Sequence, residues 1–247
     1  MTDLFSLRGK SALLTGGSRG IGHEMACGLR DAGALVHVLD CADPSEPLEA
    51  ISFNKADITK SDEVERIISE AEADGVVFDI LVNNAGVTFS DESQTYPDEF
   101  WVKTLEVNLT SVFRLCQRIG LKLIADGRSG SIINVTSIGA LQGFPMNPAY
   151  GSAKGGVRQL TKALACEWGQ YGIRVNCLAP GYTRTPMNAK SWHNAELQKQ
   201  RADRTMLSRW AEPDEMVGPL VFLASDASSY MTGADLVVDG GWTSKGL

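Results

Sequence analysis

Tyr150 and Lys154 stand four residues apart, a spacing that puts both side chains on one side of any helix carrying them. A phenol loses its proton at about pH 10, too high for efficient exchange near neutrality. A neighbouring ammonium favours the phenolate and lowers that value. The pair therefore has the makings of a tuned general acid–base. Ser137 follows an apolar run, where its hydroxyl can bind an oxygen presented at a strand end. Asn108 falls within a helical pattern, an unfavourable place for Asn unless it has local work. Far upstream lies the run Thr15-Gly16-Gly17-Ser18-Arg19-Gly20-Ile21-Gly22. Between a strand and a helix, such a turn sets backbone N–H groups and a positive helix end against a diphosphate. Asp40 closes the next apolar run, near the spacing expected of a ribose-binding carboxylate. Taken singly, each feature has an ordinary reading: a surface helix pair, a strand-end serine, a tight turn. Their joint occurrence points to chemistry.

The elements that must position these groups alternate along the chain. Residues 11–15 read as a buried strand and 21–31 as a helix with Ile21, Met25, Ala26 and Leu29 on one face. Gly33 follows as a C-terminal cap would. Strands are expected at 34–39, 51–55, 79–82, 131–136, 173–178 and 235–238. Helices are expected at 62–74, capped by Ser61, at 148–171 and at 212–224, with two more within 96–124 and Asn108 inside the second. Residues 182–209 are polar and weakly patterned. This alternation predicts an α/β fold: a single Rossmann-type, doubly wound parallel sheet with helices on both faces. No repeat or linker interrupts it, so 1–247 reads as one dinucleotide-binding catalytic domain.

Bulk properties exclude several classes. The 247 residues carry a net charge of −7, without the basic footprint of a nucleic-acid binder. No run of about 18 apolar residues suits a membrane span, and the first ten residues do not read as a signal peptide. Five scattered cysteines, with no C-x-x-C pair, and three histidines, with no H-x-x-x-H pair, support neither a disulfide framework nor a metal site. A cytoplasmic protein without nucleic-acid or membrane partners is expected.

The motifs together resemble the short-chain dehydrogenase/reductase family over essentially the whole chain. The resemblance rests on the glycine turn, Asp57, Asn83-Asn84-Ala85-Gly86, Asn108, Ser137, Tyr150-Gly151-Ser152-Ala153-Lys154, and Pro180-Gly181 followed by Thr185. It implies a catalytic set of Asn108, Ser137, Tyr150 and Lys154. In that set Tyr150 exchanges the substrate proton and Ser137 orients the carbonyl. Lys154 holds the nicotinamide ribose and lowers the Tyr150 pKa, and Asn108 holds a water in a proton relay. The nicotinamide carries the hydride chemistry. Cofactor contacts are expected from Gly16, Ser18, Arg19, Gly20, Ile21, Gly22, Asp40, Asp57, Ile58, Asn84, Ala85, Gly86, Tyr150, Lys154, Pro180, Gly181, Thr183 and Thr185.

Asp40 would bind ribose hydroxyls and repel a 2′-phosphate, favouring NAD(H); Arg19 could pair with that phosphate and keeps NADP(H) open. Ser137, Gln142, Asn147, Tyr150, Tyr182 and Trp192 are expected at the substrate, with Phe144, Met187 and His193 as further wall candidates. Residues 4–10 and 239–242 look most like members acting on sugar acids, keto-sugars and polyols. Two other readings compete. One is an NADPH-dependent 3-oxoacyl-[acyl-carrier-protein] reductase docking its acidic partner on Arg114, Arg118 and Lys122. The other is a non-catalytic NAD-binding regulator, against which the intact Ser137, Tyr150 and Lys154 argue. Family members usually assemble as tetramers, so a homotetramer is expected.

Overall fold

Short apolar runs build one seven-stranded sheet, with every neighbouring pair parallel and the order β3-β2-β1-β4-β5-β6-β7. The strands are β1 (Ser11–Thr15), β2 (Leu35–Asp40), β3 (Ser52–Lys55), β4 (Ile80–Asn83), β5 (Gly130–Val135), β6 (Ile173–Pro180) and β7 (Asp235–Val238). This computed structural model describes residues 4–245. Residues 1–3 and 246–247, which the one-domain expectation includes, lie outside the described residues.

Alternate side chains leave the sheet in opposite directions, and two apolar cores result. On one face Leu13, Leu39, Leu81, Ile132 and Val175 pack beneath α2 (Ser61–Ala73), α4 (Ser111–Ala125) and α5 (Pro148–Trp168). On the other, Leu14, Val36, Val38, Val82 and Ile133 meet Met25 and Leu29 of α1 (Gly20–Asp31) and Leu220 and Leu223 of α8 (Val217–Ala224). The order reverses between β1 and β4, which is where doubly wound sheets open a ligand crevice. No helix of the described residues is long and apolar enough to cross a membrane.

Three local expectations are corrected. Ser61 is the first residue of α2 rather than its cap, and Lys60 at the cap makes no side-chain bond. Asn108 does not sit within a regular second helix. It lies in a π-helical turn, Glu106–Thr110, that joins α3 (Asp98–Leu105) to α4. The weakly patterned stretch 182–209 is ordered by α6 (Ala189–Trp192) and α7 (Ala195–Arg204), the latter capped by the Asn194 side chain.

Candidate active site

The glycine turn leaves β1 and enters α1. The first turn of α1 has neither a side-chain cap nor an acidic residue, so its N–H groups and positive end stay open to an anion. Gly16 has φ +73°, and a Cβ there would come within 2.7 Å of Ala85 Cα. At Gly22 a Cβ would overlap the Gly16 carbonyl oxygen. Asn84 stitches the two loops: its Nδ2 donates to the Gly16 carbonyl at 2.8 Å and to the Thr15 carbonyl at 3.1 Å. Thr15 Oγ1 accepts the N–H groups of Asn84 and Ala85, each at 3.2 Å.

A crevice of about 280 Å3 runs along this turn, lined by Gly16, Arg19, Gly20, Ile21, Gly22, Asp40, Asp57, Ile58, Asn84, Ala85, Gly86 and Thr185. Lys103 of α3 also lines it, a contribution that no spacing in the sequence signals. Asp40 is engaged from within: its Oδ2 accepts the Ser18 N–H and its Oδ1 the Ala42 N–H at 3.0 Å. Ser18 is therefore not a wall residue. It is buried beneath the turn, tying it to β2. Burial works to raise the Asp57 carboxyl, but two hydrogen bonds from Thr59 prevail and hold it below the usual range. The open helix end, the glycine turn packed closely against the Asn84–Ala85 loop and the carboxylate at the β2 end fit an adenine dinucleotide.

The crevice continues into a second cavity of about 480 Å3, sharing Ile21, Asn84, Gly86, Thr185 and Met187 with the first. Ser137, Tyr150, Lys154, Pro180, Gly181 and Thr183 line it, so strand ends and α5 bring these together as the sequence anticipates. Ser137 Oγ accepts the Gly139 N–H at 3.0 Å, which leaves its hydrogen free to point elsewhere. Burial raises the Tyr150 phenol above its ordinary value, opposed by a hydrogen bond with Ser137. Lys154 is buried, pushed down to about 8 by loss of solvent. Its Nζ donates to the Val135 carbonyl at 2.7 Å and lies 5.8 Å from the Tyr150 ring centroid.

Asn108 is fully buried, and its side chain bonds Val87 twice. Oδ1 accepts the Val87 N–H and Nδ2 donates to the Val87 carbonyl, both at 2.8 Å. It thus clamps the loop beyond β4. A Cβ at Gly86 would lie 3.3 Å from Asn108 Oδ1 and 3.8 Å from Lys154 Nζ, so the three converge.

On the substrate side, Phe144, Asn147, Tyr182 and Met187 line the second cavity. Gln142, Trp192 and His193 do not. Gln142 Oε1 accepts the Trp242 indole N–H at 3.1 Å. Trp192 donates its indole N–H to the Thr185 carbonyl at 3.3 Å and its ring lies tilted against His193. These partnerships join residues far apart in sequence or hidden in a patternless stretch. Asn147 is held by Thr88 and Ser90. Arg201 of α7 also lines the cavity, unheralded by any motif. The basic stripe on α4 is internally neutralised: Arg114 pairs with Glu106, Arg118 with Glu65 and Glu72, and Lys122 with Asp126.

Residues 16–243 match a family model described as Enoyl-(Acyl carrier protein) reductase. The chain is 40% identical to the 2-dehydro-3-deoxy-D-gluconate 5-dehydrogenase of Pseudoalteromonas atlantica, over 99% of this chain and 100% of that one. It is 33% identical to the NAD-dependent glycerol dehydrogenase of Listeria innocua, over 98% of this chain and 96% of that one. The crystal structure of a gluconate 5-dehydrogenase from Burkholderia cenocepacia, in complex with NADP and tartrate, superposes with a TM-score of 0.92 at 36% identity, over 99% of each chain.

Proposed function

Because this chain belongs to the short-chain dehydrogenase/reductase family, we propose that it interconverts a secondary alcohol and a ketone on a small sugar acid, using a nicotinamide dinucleotide. The observation that carries this reading is the convergence of Ser137, Tyr150 and Lys154 on a cavity continuous with the glycine-turn crevice. The sugar-acid class is supported by the similarity to gluconate-type dehydrogenases.

When bound, the nicotinamide supplies hydride transfer. The dinucleotide would lie with its diphosphate on the α1 N-terminus and its adenosine beside Asp40, Asp57 and Ile58. Its nicotinamide end would reach Lys154, Pro180, Gly181, Thr183 and Thr185. The protein's own groups handle the proton. In reduction Tyr150 gives its phenolic proton to the carbonyl oxygen; in oxidation it takes the proton back. Ser137, its oxygen already engaged by Gly139, donates its hydrogen to the same substrate oxygen and stabilises the charge that develops there. The Lys154 ammonium favours the phenolate. Asn108 keeps Val87 and Gly86 in register beside Lys154.

Asp40 supports NAD(H), because its carboxylate stands at the ribose end of the crevice and would repel a 2′-phosphate. Arg19 lines the same crevice and favours NADP(H). Residues 1–247 act as a single catalytic domain in this reading. We further propose a cytoplasmic homotetramer, supported by the exposed Trp101, Val102, Phe113 and Leu121 along α3 and α4. The test is NAD+- and NADP+-linked oxidation of sugar acids and polyols, with the matching ketones reduced in reverse. Turnover of sugar acids supports the reading. A protein that binds NADH yet turns over no carbonyl or alcohol in the panel refutes it.

A further inference from the structure

We propose that Arg201 is the carboxylate anchor of the substrate cavity and sets its preference for acidic over neutral substrates. The inference rests on the oxidoreductase reading above and names the residue that would select the acid. Four observations carry it. First, no Asp or Glu among the described residues lines the second cavity, although the chain as a whole has a net charge of −7. Its two charged residues are Lys154 and Arg201, and the Lys154 ammonium is already bonded to the Val135 carbonyl.

Second, Nη1 of Arg201 is buried without a hydrogen-bond partner among the described residues. A buried donor on a charged group is costly to leave unpaired, so this one is poised for an acceptor from outside the chain. Third, the guanidinium is positioned by packing over two aromatic rings. Its Cζ lies 4.7 Å from the Tyr182 ring centroid and 5.7 Å from that of Trp210. A cation–ring contact needs no side-chain acceptor, and a guanidinium fork matches a carboxylate with two parallel hydrogen bonds.

Fourth, the support beneath Arg201 is itself held. The Trp210 indole N–H donates to the Gln198 carbonyl of α7 at 3.1 Å, and Tyr182 packs against Trp242 with ring centroids 4.8 Å apart. The arginine is thus held at one wall of the cavity that also contains Ser137 and Tyr150. A substrate with a hydroxyl or carbonyl at one end and a carboxylate at the other can meet both.

The test compares 5-keto-D-gluconate with the neutral ketose D-fructose as substrates of the full-length enzyme, its Arg201→Met variant and its Arg201→Lys variant. Arg201→Met is expected to raise the KM for the keto-acid by about 10- to 100-fold, the range for a charged hydrogen bond. The ratio of kcat/KM for acid over ketose should fall by the same factor. Arg201→Lys keeps the charge, loses the fork and should fall between. NADH affinity, read by fluorescence, reports whether each variant is folded. If Arg201→Met does not bind NADH, Arg201→Lys decides: a several-fold rise in KM supports the anchor. An unchanged KM for the acid in a folded variant overturns the role of Arg201 while leaving the oxidoreductase reading intact. Efficient reduction of the ketose with no activity on the acid overturns the sugar-acid substrate class itself.

Discussion

Asp40 Oδ2 accepts the main-chain N–H of Ser18 at 2.9 Å, so the carboxylate at the end of β2 also pins the turn that would cradle the diphosphate. One side chain thereby joins cofactor choice to loop geometry. Asp40→Ala should relax discrimination against NADPH and also weaken binding of NADH, because the turn loses an anchor. Asp40→Asn, which keeps an acceptor oxygen, should retain more NADH affinity. Kd values for both dinucleotides measure this; a parent enzyme that already prefers NADPH would contradict the Asp40 argument.

Removing the phenolic oxygen tests the proton exchange directly. Tyr150→Phe should lower kcat by about 100- to 10,000-fold, the usual worth of a positioned acid–base. NADH should bind nearly as before, since the backbone cradle is untouched. Steady-state kinetics and fluorescence titration separate the two effects. Near-normal turnover would remove Tyr150 from its role.

Lys154 gives a pH signature. Burial holds it at about 8, below its ordinary 10.5. Between those values the unfolded chain binds more protons at this position than the folded one, so its contribution to stability rises with pH. Relative to Lys154→Met, the parent should gain stability from pH 8 towards 10.5, by at most about 1.4 kcal/mol per pH unit. Urea melts of both proteins across that interval measure the difference. A flat difference would mean that Lys154 is solvated.

The Gly22 position leaves no room for a side chain, because the Gly16 carbonyl occupies the space a Cβ needs. Gly22→Ala should cost about 1–3 kcal/mol in stability through forced backbone movement and weaken NADH binding by at least about tenfold. Gly218→Ala, where a Cβ meets nothing within 4 Å, should change stability by less than about 0.5 kcal/mol. Similar effects from both substitutions would show that the turn is not closely packed.

The cysteines should separate by burial. Loss of solvent pushes Cys116 up to about 12 and Cys177 up to about 11, and both are buried. Cys41 and Cys166 are exposed, and Cys41 lines the glycine-turn crevice. Iodoacetamide on the native protein should label Cys41 and Cys166 and spare the buried pair. Saturating NADH should slow labelling of Cys41 and leave that of Cys166 unchanged. Mass spectrometry of tryptic peptides reads both outcomes.

The central strands appear where short continuous apolar runs place them, since burial on both faces of a parallel sheet imposes that pattern on the sequence. The convergence of Ser137, Tyr150 and Lys154 was also legible, because strand ends and helical spacing are local properties. What escaped depends on distant partners. Gln142 reads as a pocket residue until Trp242, a hundred positions later, takes its oxygen. Ser18 reads as a contact of the crevice until Asp40 draws it under the turn. Arg201 sits in a helix too polar to show a face, and only the rings of Tyr182 and Trp210 give its position meaning. The basic stripe of α4 reads in one dimension as a solvated face, a subunit contact or an anion dock, and carboxylates from its own and neighbouring elements pair with it.

The wide turn at Glu106–Thr110 sets the rotational phase of everything after it. Leu115, Cys116, Ile119 and Leu123 reach the sheet because that turn holds more than an α-helical turn would. Wound as a regular α-helix, the same residues would rotate the following helix by about 100° about its axis. Its apolar stripe would swing towards water and Arg114 and Arg118 towards the core, while the amide clamp on Val87 would lose its footing. The irregularity therefore acts as a spacer, letting one continuous rod serve the reaction centre at one end and the hydrophobic interior at the other.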